Sequence, residues 1–226
     1  MDTGPPDGPI VRRLGQEGVD RLDALILTHA QADHEGAALD VIDRFRPRLV
    51  LNGGDRRASR VQAELDAATG AVGARTLDAR AGRSLVLGGM RLDILWPPPD
   101  SGAVTAAGDP NDRAVVAWVR AGTFDLLLPA DAESAVTSRL ALGPVDALKV
   151  AHHGSADDGL GALLARLRPA VAAIPVGRGN TYGHPAPSTL AALRAVPNVL
   201  RTDLHGTVRL RVAGERITVE RTGPRR

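Results

Sequence analysis

The sequence contains no cysteine. Disulfides and thiolate metal sites are thereby excluded, and any metal must be held by His, Asp, Glu or amide oxygen; the redox compartment stays open. Aromatic residues are scarce: Phe45, Trp96, Trp118, Phe124 and Tyr182 make up the whole set, too few to suggest a stacking platform for nucleic-acid bases. Lysine occurs once, as Lys149, among 28 basic residues. Arginine suits bidentate contacts to phosphate, but a GC-rich genome that writes Arg for Lys is the simpler source of the bias, and the net charge is only +2. No apolar run approaches the ~20 residues of a membrane-crossing helix, so no lipid insertion by this chain is expected. Met1-Asp2-Thr3-Gly4-Pro5-Pro6 is polar and turn-like, unlike a secretory leader. With 226 residues, 43% of them hydrophobic, and no usable repeat or linker, the chain reads as a single domain, 1–226, with a full core.

What is present is a strand-and-helix alternation that places helices against a sheet, an α/β class. Leu22–Thr28 reads as a buried strand, 36–45 as a helix stopped by Pro47, Leu49–Leu51 as a strand and Arg56–Ala68 as a helix. Ile10–Leu14 reads as a short helix ended by Gly15. Ser84–Leu87 and Met90–Leu95 form a hairpin around Gly88-Gly89, and Ala114–Val119 with Phe124–Leu128 a second one. A helix over Ser134–Leu142 follows, then a strand over Val145–Val150, a helix over Leu160–Leu167 and a strand over Ala170–Ile174. The stretch 176–185 is a loop. Pro187–Val196 is the last helix, and three short strands, Val199–Thr202, Thr207–Val212 and Ile217–Glu220, close the chain.

Polar clusters recur at strand ends. The first strand runs into Thr28-His29-Ala30-Gln31-Ala32-Asp33-His34; another ends at Asp131, a third at His152-His153-Gly154-Ser155, and a fourth leads to Asn180-Thr181-Tyr182-Gly183-His184-Pro185. Strand ends that carry such residues suggest one shared sheet edge, where ligand sites commonly sit. Neutral imidazole and carboxylate are ligand types for a zinc- or manganese-like divalent cation. Each piece alone is weak; the ordered set is a compound pattern.

That ordered set resembles the metallo-β-lactamase superfamily, whose usual first motif is His-x-His-x-Asp-His. Lys149-Val150-Ala151-His152-His153-Gly154-Ser155 and the Val176–Pro185 loop are similar to segments of the soluble C-terminal domain of ComEC-type DNA-uptake (competence) proteins, and Asn111-Asp112 before a hairpin also fits. The resemblance implies an αββα sandwich. Because Asp2-Thr3-Gly4 looks like the end of a strand that others precede, some amino-terminal strands are expected to be missing and the domain to be truncated. It also implies metal-dependent phosphodiester hydrolysis on single-stranded DNA, with one or two ions of zinc or manganese. Carried over by position, His29 serves a first metal position, Asp33, His34 and His153 a second, and Asp131 lies near or between them. Asp33 and His184 are implied in catalysis; Ser155, Arg178, Asn180 and His184 are implied to contact substrate. The implied context is the soluble part of a membrane uptake protein, outside the cytoplasmic membrane and beside a channel of the same or a parent protein; an independent relative would be cytoplasmic.

This chain departs from the pattern at two motifs. Gln31 stands where an acidic or imidazole ligand is usual, and a neutral amide is a poorer ligand. Pro129-Ala130-Asp131 replaces Thr-Gly-Asp, so Ala130 lacks glycine's freedom. One metal position, made of Asp33, His34, Asp131 and His153, is therefore expected to survive better than the other. Two alternatives stay open: a hydrolase of another small substrate on the same fold, and a non-catalytic domain with a degenerate metal site.

Overall fold

The computed structural model describes residues 1–54, 60–99, 109–214 and 216–223. The chain forms two compact units, Met1–Arg83 with Trp96–Val115 and Ser84–Leu95 with Val116–Arg226.

In the first unit, β1 (Ala24–Leu27), β2 (Leu49–Asn52) and β3 (Arg75–Asp78) form a parallel sheet in that order. Parallel pairing brings the carboxyl ends to one edge, so the turn after β1 and the glycines after β2 emerge side by side. The helix α3 (Ala38–Phe45) is amphipathic: Ala38, Val41, Ile42 and Phe45 are buried at helical spacing. They pack with Leu25 and Leu27 of β1, Val50 of β2 and Leu65 of α4 (Arg60–Ala71), while α1 (Ile10–Gln16) adds Ile10, Val11 and Leu14. Fully burying one such side chain is worth about 1.5–3 kcal/mol. Gly53 permits the close approach of β2's exit to β1's exit. A Cβ there would lie 2.3 Å from the carbonyl oxygen of Thr28 and 2.4 Å from Cγ2 of Val115.

In the second unit a seven-stranded sheet runs in the order β10-β9-β8-β7-β6-β5-β4. β4 (Ser84–Leu87) with β5 (Met90–Trp96) and β6 (Val116–Ala121) with β7 (Phe124–Leu128) are the two expected antiparallel hairpins. From β7 onward, β8 (Ala147–Lys149), β9 (Val171–Ile174) and β10 (Asn198–Arg201) pair in parallel. Three successive loops therefore leave the sheet at one edge. A separate hairpin, β11 (Val208–Ala213) with β12 (Arg216–Arg221), packs Val208, Leu210, Ile217 and Val219 against Phe124, Ala147, Val171 and Leu200.

Several boundaries differ from the sequence reading. The helix expected over Ser134–Leu142 is one turn, α5 (Ser134–Thr137). Arg166 of α6 (Leu160–Leu167) takes the carbonyls of Thr137 and Leu140, satisfying by a tertiary contact what a longer helix would satisfy internally. Helix α1 continues past Gly15 to Gln16. Strand β3, which no alternation announced, pairs only with β2 in its sheet. The last predicted helix is α7 (Pro187–Ala192) with a 3-10 turn at Leu193–Ala195, and a short helix α8 (Thr202–His205) follows β10. The expected start of α4 at Arg56 lies outside the described residues.

Candidate metal centre

In the first unit the edge after β1 carries His29 and then the single-turn helix α2 (Ala32–Glu35), which holds Asp33 and His34. Gln31 is its N-cap in extended conformation, with no side-chain capping bond. His29 and His34 are both buried, and their rings lie 4.1 Å apart at 49°. Asp33 is exposed, yet its Oδ2 is 3.6 Å from His34 Nε2.

One carboxylate organises this cluster. Asp2 is tied to the sheet through its N–H, which donates to the carbonyl of Ile26 at 2.7 Å. Its Oδ1 accepts from the Thr28 N–H at 2.8 Å, and its Oδ2 accepts from the Thr28 hydroxyl at 2.9 Å. The same Oδ2 lies 3.0 Å from His34 Nδ1. Having donated to Asp2, the Thr28 hydroxyl receives the proton of His29 Nδ1 at 2.9 Å. With the imidazoles neutral, these bonds place the lone pair of each on Nε2.

Behind α2 lies a buried polar chain. Gln62 donates to Glu35 at 2.6 Å, Asn52 donates to Gln62 at 2.6 Å, and the Gly54 N–H donates to Asn52 at 2.9 Å. Burial pushes the Glu35 carboxyl up to about 7; the Gln62 bond opposes this and the charge of Asp2 adds to it.

In the second unit, the exits of β7, β8 and β9 carry Asp131, the His152-His153 pair and the loop with His184. Asp131 is 1% exposed, and its Oδ2 is 3.6 Å from His153 Nε2. Its Oδ1 lies 3.3 Å from the ammonium of Lys149. That ammonium also donates to the carbonyl of Ala130. Ala130 takes a left-handed φ of 51° despite its Cβ, and its carbonyl further accepts the His152 N–H at 3.2 Å. Two tertiary hydrogen bonds thus offset the strain that the missing glycine introduces. His152 and His153 are left-handed as well, with φ of 45° and 52°, a turn that points the two rings to different partners. His153 Nδ1 donates to the carbonyl of Pro175 at 2.6 Å, whereas His152 Nδ1 donates to Glu133 at 2.9 Å. Burial raises the Glu133 carboxyl, but hydrogen bonds from His152 and Ser155 outweigh it and leave the pKa below the usual value.

The remaining predicted residues fall in the same unit. The hydroxyl of Ser155 donates to Glu133; α6 begins later, at Leu160, with Gly159 as its N-cap and no side-chain cap. Asn180 donates to the His184 carbonyl at 2.7 Å and accepts its N–H at 3.1 Å, closing the loop on itself. His184 sits edge-on to His152 at 5.7 Å. Burial, then repulsion from His152 and His153, lowers its pKa. Arg178 is exposed on the same loop. Asp2, Glu133 and Lys149 are the contributors that sequence reasoning left without a role. Only the nearness of Glu133 to Asp131 and the singularity of Lys149 could have signalled two of them.

The donor chemistry fits a divalent cation. Two donors bound to one tetrahedral ion at about 2.0–2.1 Å lie about 3.4 Å apart, and each unit holds an Nε2–carboxylate pair at 3.6 Å. In both pairs an oxygen acceptor fixes the tautomer through Nδ1, the usual support of a metal-binding histidine.

Comparison with known proteins agrees. A family model described as metallo-beta-lactamase superfamily matches residues 1–178. ComE operon protein 3 of Bacillus subtilis is 32% identical over 205 residues, covering 88% of this chain and 26% of its own length. Recombination protein 2 of Haemophilus influenzae is 30% identical over 214 residues, covering 93% of this chain and 25% of its own. The chain thus spans about a quarter of the length of these relatives. Among solved structures, the metallo-beta-lactamase fold protein YhfI from Bacillus subtilis matches with a TM-score of 0.55 at 13% identity, covering 88% of this chain and 82% of its own. At that identity the likeness establishes the fold, which is the expected one.

Proposed function

Because the chain belongs to the metallo-beta-lactamase superfamily, we propose that it is a metal-dependent hydrolase. The ligands we propose, carried over from the ordered sequence motifs, are Asp33, His34, Asp131 and His153, with His29 at a further position. The reading is carried by the pairing repeated in each unit, an imidazole Nε2 set 3.6 Å from a carboxylate oxygen with its Nδ1 proton already committed. Zinc and manganese both suit this nitrogen and oxygen set. Such a cation, when bound, makes a water-derived nucleophile available near neutral pH and offsets charge on a phosphodiester.

The chain's own residues supply the rest. Asp33, with half of its side chain exposed, orients the attacking water and accepts its proton. His184, edge-on to His152 and held by Asn180, faces the substrate. Arg178 grips phosphate from the same loop, and Ser155, whose hydroxyl donates to Glu133, contacts substrate beside it. The substrate is single-stranded DNA, cut during uptake outside the cytoplasmic membrane beside a channel in the same or a parent protein. Similarity to ComE operon protein 3 and Recombination protein 2 supports that assignment. No helix among the described residues is long and apolar enough to cross a membrane.

The test is cleavage of end-labelled single-stranded DNA with Mn²⁺ or Zn²⁺, alongside chelator, His34→Ala and Asp131→Ala. Cleavage lost in all three controls supports the proposal. A folded protein that binds metal yet cuts no DNA points to another small substrate. Gln31 favours a third reading, a non-catalytic domain, which predicts neither bound metal nor cleavage.

A further inference from the structure

Tyr182 is the single tyrosine of the chain and is 83% exposed. An aromatic ring left in water forgoes the burial that would normally hold it in a core. The backbone on either side of it is nevertheless shaped by turns and hydrogen bonds. Gly179 and Gly183, with φ of 70° and 75°, turn the chain on either side of it. Asn180 bonds both the carbonyl and the N–H of His184. The Tyr182 ring then lies nearly parallel to that of His184, at 18° and 6.2 Å between centroids. His184 in turn meets His152 edge-on. A line of rings therefore runs from the histidine cluster of the second unit outward to solvent, and Tyr182 is its open end.

We propose that Tyr182 is a nucleobase-stacking residue, and that it makes the site select a nucleic-acid strand over a base-free phosphodiester. The proposal rests on the phosphodiesterase reading above. Stacking accepts any base because every base has a π-face, which suits a site that must take strands of any sequence. Arg178 on the same loop is placed for the backbone charge that accompanies each base. The scarcity of aromatics, which argued against an extended platform, is consistent with contact to one base.

The experiment measures binding of the full chain to a short labelled oligodeoxythymidylate and to an abasic strand of equal length. Metal is chelated so that neither strand is cut. Wild type is expected to prefer the base-bearing strand. Tyr182→Ala should weaken that strand about 5- to 150-fold and leave the abasic strand unchanged, and Tyr182→Phe should retain the preference. Equal binding of both strands by wild type, or an equal loss of both in Tyr182→Ala, overturns the proposal. Turnover of bis(p-nitrophenyl) phosphate with Mn²⁺ reports separately on the hydrolase. If it is absent while the Tyr182-dependent preference persists, the catalytic reading fails and the stacking residue stands.

Discussion

Oδ2 of Asp2 lies 3.0 Å from Nδ1 of His34, across 32 positions of sequence. That contact, with the Thr28 bridge to His29, makes one carboxylate responsible for the tautomer of both buried imidazoles. Carboxylate support of this kind raises the basicity of the opposite nitrogen and locks the ring.

Removing the carboxylate while keeping the fold should therefore weaken metal binding. For Asp2→Ala, affinity for Zn²⁺ is expected to fall about 10- to 100-fold, measured by competition with a chromophoric chelator. Circular dichroism would verify that the sheet remains. An unchanged affinity would show that Asp2 only anchors the terminus.

Lys149 pairs with a carboxylate that is 1% exposed. Truncating one partner of a buried pair leaves the other charge uncompensated, at a cost of about 3–5 kcal/mol. Lys149→Met should lower stability by about that amount in urea unfolding with chelator present. Added Mn²⁺ should restore more stability to the variant than to wild type, because a cation held by Asp131 would then supply the missing positive charge. Equal responses in the two proteins would separate Lys149 from the metal.

The pH dependence has a structural source away from the centre. Hydrogen bonds from Arg91, aided by Ser84 and Arg120, hold Asp93 well below the usual carboxylate range. A depressed folded pKa means that the unfolded chain binds the proton first on acidification. The stabilisation is thus full above the unfolded value and lost as pH falls toward the folded one. Asp93→Asn should destabilise at neutral pH by about 1.5–3 kcal/mol. The gap to wild type should shrink as pH drops below about 4, read from urea midpoints across pH. A constant gap would assign the loss to packing.

Much of the fold was legible locally. The hairpins at Gly88-Gly89 and Gly122, the amphipathic face of α3 and the limits of α6 follow from period and turn chemistry. The early end of α5 and the unannounced strand β3 were decided by a distant partner: Arg166 capturing carbonyls, and β2 offering its edge. Ala130 is the instructive residue. Its sequence predicts an impaired turn, yet it keeps a left-handed backbone because Lys149 and His152 hold its carbonyl.

The sequence alone determined which side chains stand at strand exits, because strand and turn patterns are short-range. It placed His29, Asp33, His34, Asp131, His153 and His184 there, with the residue types a divalent cation requires. The tertiary structure decided which ring nitrogen of His29, His34, His152 and His153 is held by a hydrogen bond, which oxygen of Asp131 meets Lys149 and which meets His153, and that Tyr182 stands open to solvent. Those outcomes depend on partners such as Asp2, Glu133 and Pro175, and whether such groups come within about 3 Å of a ring is set by packing, not by any local periodicity.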